Sequence, residues 1–361
     1  MKPRVIAIHL PQFHPFKEND EWWGKGFTEW RNVAKARPRF PGHYQPHLPA
    51  DLGFYDLRVP ETRVEQAQMA RDHGIYGFCY YHYWFNGKLL MERPLEDMLK
   101  SNIPDFPFML CWANENWTRV WDGGEKQILI EQNYSEEDDQ KHIKYLIKYF
   151  KDQRYIRVNN KPVLCIYRSA LLPDIENTIK IWRTEALKEN IELYICRFES
   201  MGESGEKYMI NGIDAAIDFP PHDKERESKK YKYFVARLIN KISQIMIQKK
   251  IIPIVEKYKK YIKSKIKRPY PIYKWYPCVT PMWDNSPRRK GMGFFAFKGS
   301  TPELFGLWLR KIIEKFVPYS SEENFIFINA WNEWAEGNHL EPDLKWGKKY
   351  LDEIKKVMVK D

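Results

Sequence analysis

The segment INAWNEWAEGNHLEPD, residues 328–343, sets two carboxylates, Glu333 and Glu336, among Trp331, Trp334, Asn332 and Asn338. Cleaving a glycosidic bond usually takes two carboxyl groups, one protonated to assist the leaving group and one ionised. Burial against indole raises a carboxyl pKa, while amide donors hold a neighbouring carboxyl ionised. A spacing of three residues lets both reach one pocket if the backbone turns at the end of the hydrophobic strand before them. Glu333 and Glu336 are therefore the candidate catalytic pair. A metal site is the weaker alternative: His339 and Glu341 lie nearby, but no two histidines stand at ligand spacing. Neither a metal nor a cofactor is expected.

The elements that must position this pair recur along the chain as short apolar runs followed by helical patterns. The runs are Arg4 to Leu10, Tyr76 to Trp84, Pro107 to Trp112, Pro162 to Tyr167, Glu192 to Phe198, Asp214 to Phe219, Tyr276 to Trp283 and Phe325 to Trp331. Helical patterns follow, for example PETRVEQAQMARDHG, with Pro60 at its start and Gly74 at its end, and the stretch after Ser135, whose acidic residues mark an N-terminus. Continuous apolar strands alternating with helices predict parallel βαβ units. Eight of them predict an α/β fold of the (β/α)8 TIM-barrel type, a single domain over residues 1–361. A doubly wound sheet would announce a nucleotide site by a Gly-rich turn after the first strand, where this chain has LPQFHPF.

In such a barrel the site lies at the C-terminal ends of the strands. The first strand leads there to His14, Trp22, Trp23, Glu29 and Trp30. The second delivers Tyr81, His82, Tyr83 and Trp84, and the third Trp112, Asn114, Glu115, Asn116 and Trp117. The fifth and sixth end at Glu199, Asp218 and His222, the seventh at Trp283, Asp284 and Asn285, and the eighth at Asn332 and Trp334. Ten of the fourteen tryptophans fall in these segments. Indole faces interspersed with amides and carboxylates suit a pyranose, which has an apolar C–H face and hydroxyls needing both donors and acceptors. Tyr81 to Trp84, Trp112, Asn114 to Trp117, Trp283, Asp284, Asn332 and Trp334 are the candidate substrate contacts.

The chain has 361 residues, 43% hydrophobic and 30% charged, and no run of eighteen apolar residues. Its start, MKPRVIAIHL, reads as a first strand and not as a signal peptide. Cys79, Cys111, Cys165, Cys196 and Cys278 each fall in a different apolar run, which points to buried reduced thiols and a cytoplasmic location. The net charge of +11 is local: between His222 and Arg268, 16 Lys/Arg face 4 Asp/Glu. Apolar residues at helical spacing over Tyr233–Ile247 and Ile251–Ile266 predict a basic helical hairpin, an insertion over 222–270 after the sixth strand. Its lysines suit an anionic membrane surface through 222–268, which would hold the protein peripherally at the inner membrane. No nucleic-acid fold signature accompanies the charge, so no nucleic-acid partner is expected.

AIHLPQFHP…WWGKGFTEW, GFCYYHYWF, WANENWTRVWDG, PMWDNSPRR and NAWNEWAEG together resemble the WbsX-like family. That family comprises glycosyltransferases of bacterial cell-surface polysaccharide loci and is similar to glycoside hydrolase family 99, the endo-α-mannosidase type. The resemblance covers nearly the whole chain except the basic segment. It implies a (β/α)8 barrel acting on an oligosaccharide or lipid-linked glycan. It also implies Glu333 as a base on the substrate's own 2-hydroxyl and Glu336 as general acid, with retention through a 1,2-anhydro sugar. Ala335 stands where those hydrolases tend to have His, a departure at the −1 subsite contacts on which their mannose preference rests. Two other functions use the same cleft. A sugar-nucleotide-dependent transferase would need Arg119, Arg288 or Arg289 to hold phosphates; a glycan-binding barrel would need no catalysis.

Overall fold

The computed structural model describes residues 2–119, 124–222, 238–243, 252–289, 291 and 293–359. Eight parallel strands close into a barrel: β1 (Arg4–His9), β2 (Gly77–Phe85), β3 (Phe108–Trp112), β4 (Lys161–Ile166), β5 (Tyr194–Glu199), β6 (Ala215–Asp218), β7 and β8 (Phe325–Ile328). β7 consists of two pieces, Trp275–Tyr276 and Cys278–Val279, on either side of Pro277. The first piece pairs with β6 and the second with β8, so the ring closes across a residue that has no N–H to give. Every predicted strand is present within a few residues.

The helices start where their sequences supply caps. Ser135 accepts from the Asp138 N–H at the head of Glu136–Phe150, whose first turn carries four acidic residues against the positive end of the helix dipole. Asp174 caps Ile175–Leu187, and Thr301 caps Pro302–Lys315. Pro60 opens Pro60–Asp72, needing no N–H partner at that position. Lys349–Val359 closes the described chain.

The register fixes which side chains enter the barrel, because in-register neighbours share a face and successive residues alternate. Ile8 lies beside Cys79, Cys111 beside Cys165, Cys165 beside Cys196, and Cys278 beside Phe327. Cys79 pairs with Met109, two residues from Cys111. All five cysteines therefore point inward, and all are buried and free. Small side chains there leave room for the large residues of the same layers.

The insertion departs from the expected hairpin. Residues 238–243 are helical; the rest of the first predicted arm lies outside the described residues. In the second arm only Tyr258–Lys267 is helical, while Ile254–Lys257 is a strand paired in parallel with Phe295–Lys298. Isoleucine and valine spaced for a helix are also good strand formers, and a partner strand decides between the two. The helix lays Tyr258, Tyr261 and Ile262 onto the barrel, with Tyr261 packed against Phe297 and Trp308. Lys265 is buried too, its Nζ 2.6 Å from Asp218 Oδ2 at the end of β6. Lys257, Lys259, Lys260, Lys263 and Lys267 remain exposed. Among the described residues no helix is long and apolar enough to cross a membrane.

Candidate active site

A cavity of about 360 Å³ opens at the C-terminal mouth of the barrel. Its floor and walls are the residues that continue the inward parity of the strands: Leu10 after β1, Tyr81 and Tyr83 on β2, Ala113 after β3, Tyr167 after β4, Phe219 after β6 and Asn329 after β8. Loops add Gln12, Glu115, Asn116, Trp117, Thr118, Met201, His222, Trp283, Asn285, Arg288, Arg289, Glu333 and Glu336.

Glu333 and Glu336 share this cavity because the chain turns sharply after β8. Residues Asn332–Glu333 and Asn338–His339 pair antiparallel, joined by a single 3-10 turn over Trp334–Glu336. Gly337 closes the turn at φ +52°, and a Cβ there would lie 3.0 Å from the Asp284 Cβ. The Glu336 carbonyl accepts from the Asp284 N–H at 2.6 Å. Asn332 does not face the cavity. It accepts from the Leu10 N–H at 2.7 Å and donates to the Leu10 carbonyl at 2.9 Å, stitching the turn to β1.

Arg288 sits at the centre of the charges. Its Nη2 is 2.9 Å from Glu333 Oε2 and its Nη1 2.6 Å from Glu336 Oε1. Nε and Nη2 also hold both oxygens of Glu29, the latter at 2.8 Å. Three carboxylates thus surround one guanidinium. Burial, more than any neighbour, raises the Glu333 pKa to about 8, with the charges of Glu336 and Glu29 adding and Arg288 opposing. Burial raises the Glu29 pKa as well, again against Arg288. Two of the three carboxylates are buried, and burial favours the protonated form of Glu333 and Glu29. Asp284 serves this arrangement from behind: its Oδ1 accepts the Ser286 N–H at 2.9 Å at the turn carrying Arg288, and its Oδ2 takes Gln45 at 2.7 Å and His43 at 2.5 Å.

Of the predicted contacts, the structure brings Tyr81, Tyr83, Glu115, Asn116, Trp117 and Trp283 to the cavity together with the two glutamates. It does not bring the others. His82 and Trp84 have the opposite parity on β2 and face the helix layer, His82 Nε2 lying 3.0 Å from His142 Nε2 and Trp84 Nε1 donating to Asp138 at 3.0 Å. Trp112, paired with His82, packs outward on Trp182. Asn114 is buried and holds the Arg168 backbone N–H at 2.8 Å and carbonyl at 2.9 Å. Trp334 stacks on His339 with ring centroids 3.7 Å apart and donates to Glu341 at 2.6 Å. Burial raises the Glu341 pKa to about 7 despite that bond. Four consecutive aromatics on a strand cannot all face one side; alternation was the available signal. Gln12, Tyr167, Phe219 and Asn329 were not singled out, although they sit just past strands and continue the inward parity. Arg119 stands outside the cavity, its Nη2 3.1 Å from the Trp22 carbonyl. Arg288 meets carboxylates where the sugar-nucleotide alternative needs a phosphate.

Residues 5–354 match the model of a family described as Glycosyltransferase WbsX. Two curated relatives, both "Uncharacterized protein WxcX" from strains of Xanthomonas campestris pv. campestris, are 40% identical over 99% of this chain. The chain spans 50% of the length of those relatives. Among solved structures, a glycoside hydrolase-like protein matches over 100% of this chain and 95% of its own, at 14% identity and TM-score 0.62. The GH99 endo-alpha-mannosidase from Bacteroides thetaiotaomicron matches over 98% of this chain and 96% of its own, at 14% identity and TM-score 0.57. These likenesses show the barrel fold, and the family match over nearly all of the sequence shows that the chain belongs to the WbsX glycosyltransferase family.

Proposed function

We propose that this chain breaks or transfers a glycosidic bond of a bacterial cell-surface glycan, with retention, using Glu333 and Glu336. The observation that carries the reading is the pair of glutamates bridged by one guanidinium inside a cavity of aromatic faces at the barrel mouth. With its pKa raised by burial, Glu333 is a stronger base than an ordinary carboxylate once it has lost its proton. It takes the proton of the substrate's 2-hydroxyl, and O2 attacks C1 as the bond to the leaving oxygen breaks. Glu336, the more exposed side chain at 19% against 9%, gives that oxygen the proton that the resting site holds on Glu333 and that passes to Glu336 as Glu333 becomes the base. The ionised Glu336 then draws a proton from water or an acceptor hydroxyl, which opens the 1,2-anhydro ring at C1, while Glu333 returns its proton to O2. Water makes the enzyme a hydrolase and a sugar hydroxyl makes it a transferase. Tyr81, Tyr83, Trp117 and Trp283 supply the stacking faces.

A lipid-linked glycan is the proposed form of substrate, and the exposed lysines of Tyr258–Lys267 are the proposed contact with an anionic bilayer. The apolar face of that helix is spent on the barrel, so the contact would be electrostatic and lost in salt.

The test is a thermal-shift panel of sugar nucleotides against neutral and amino-sugar oligosaccharides, followed by turnover of whichever oligosaccharide binds. Glu336→Gln is expected to keep binding and to lose turnover by several orders of magnitude. Stabilisation by sugar nucleotides alone, or turnover unchanged in Glu333→Gln and Glu336→Gln, overturns the mechanism.

A further inference from the structure

Behind the catalytic turn, three residues that the mechanism does not use converge on one buried point. His47 Nδ1 lies 2.9 Å from His339 Nε2, and Asp343 Oδ2 lies 3.9 Å from the same Nε2. All three side chains are buried, and their donor atoms lie within 4.8 Å of one another. We infer that His47, His339 and Asp343 form a site for a divalent transition metal of the zinc type.

His339 Nδ1 is 2.9 Å from the Glu341 carbonyl, which can only accept, so Nδ1 carries the proton and Nε2 presents its lone pair to His47 Nδ1, whose N–H would give way to the ion. An imidazole whose other ring nitrogen donates to a backbone carbonyl is the arrangement that metal-bound histidines adopt. Asp343 Oδ1 is taken by the Lys345 and Trp346 N–H groups, at 3.0 and 2.6 Å. Oδ2 is fully buried, with the side chain 1% exposed, and the donor that reaches toward this carboxylate is the Tyr44 hydroxyl, outside good hydrogen-bond geometry. Two imidazole nitrogens and one carboxylate oxygen are a common donor set for zinc, with a fourth place left for water. The groups facing the cluster are Tyr44, stacked on His47 at 4.2 Å, and Lys345, whose Nζ lies 4.3 Å from the Tyr44 ring centroid. The Tyr44 hydroxyl is the rival partner for Asp343.

A metal here would tie the loop before Leu48 to the strand that returns from the catalytic turn. His339 is the residue on which Trp334 stacks, and Trp334 separates Glu333 from Glu336 in the chain. The ion would thus hold the turn from outside the cavity.

The experiment uses the tag-free chain of 361 residues, stripped with a chelator and titrated with Zn²⁺, with Co²⁺ as a spectroscopic probe. The expected result is one ion per chain, a rise in melting temperature with Zn²⁺, and visible d–d absorption with Co²⁺ that carries no thiolate charge-transfer band. Asp343→Asn keeps shape and hydrogen-bonding capacity; it and His47→Ala should each weaken Zn²⁺ binding by more than about a hundredfold, since even outer-shell changes cost about 10–100-fold. Tyr44→Phe should leave binding in place. No bound ion and no shift in the stripped wild-type protein, or binding unchanged in Asp343→Asn and His47→Ala, overturns the site and leaves Tyr44 as the internal partner of Asp343.

Discussion

Replacing Glu333 by Gln should stabilise the protein, and only above acid pH. The neutral carboxamide has the shape of the carboxylic acid and can still accept from Arg288. In the folded chain the Glu333 pKa stands at about 8 against an ordinary 4.5. Between those values the folded state binds a proton that the unfolded state has released. Stability therefore falls as pH rises through that window, and is flat above it. The interval is worth about 5 kcal/mol, all of it burial and like-charge cost carried by the native state. For 361 residues, at an unfolding entropy of about 2.1 cal/mol/K per residue, this is about 6 °C in Tm. The assay is the melting temperature of both proteins from about pH 5 to about pH 9. Glu333→Gln should melt with the wild type at the acid end and several degrees higher at the alkaline end. A difference that does not change with pH, or that shrinks as pH rises, refutes the reasoning, because it would mean that Glu333 holds no extra proton in the fold.

The same proton sets an activity profile. The mechanism needs one proton on the carboxyl pair, and the resting site holds it on Glu333, so kcat/KM should fall as pH rises through about 8, where that proton is lost; a rate that rises through about 8 would refute the shared proton. Gly337→Ala adds a left-handed strain of about 1–2 kcal/mol and pushes Asp284 away from the Glu336 carbonyl. Turnover should drop further than the melting temperature suggests, and parallel losses would count against a positioning role for the turn. Lys265→Met leaves Asp218 buried with Arg268, 3.1 Å away, as its remaining cation among the described residues. Breaking a buried pair in this way costs about 3–5 kcal/mol, measurable by denaturant titration, and a loss below about 1 kcal/mol would show that Arg268 suffices.

Much of this was legible in the sequence. Eight apolar runs are enough to predict eight strands because each is buried on both faces and needs no alternation to be recognised. The same lack of alternation hid which of Tyr81, His82, Tyr83 and Trp84 face the lumen; only the register with β1 and β3 decides it. The Glu333–Glu336 pair was visible as a local motif. Its governor was not: Arg288 meets Glu29 across 259 positions and Glu333 across 45, and no spacing rule connects them. His47 and His339, 292 apart, escaped for the same reason. In the basic insertion, helical spacing of β-branched residues was overruled over Ile254–Lys257 by a partner strand from a distant stretch.

The split of β7 at Pro277 has a consequence for how the barrel breathes. Each of the other strands is bonded along one stretch to both neighbours, but β7 gives one half to β6 and the other to β8. The long insertion also enters here, between Asp218 at the end of β6 and Trp275 at the start of β7. The seam is therefore where the ladder should part first. Amide exchange followed strand by strand should find β7 opening at lower free energy than β1 to β4. A motion at that seam would be carried along the chain to Trp283 and Arg288, which line the cavity.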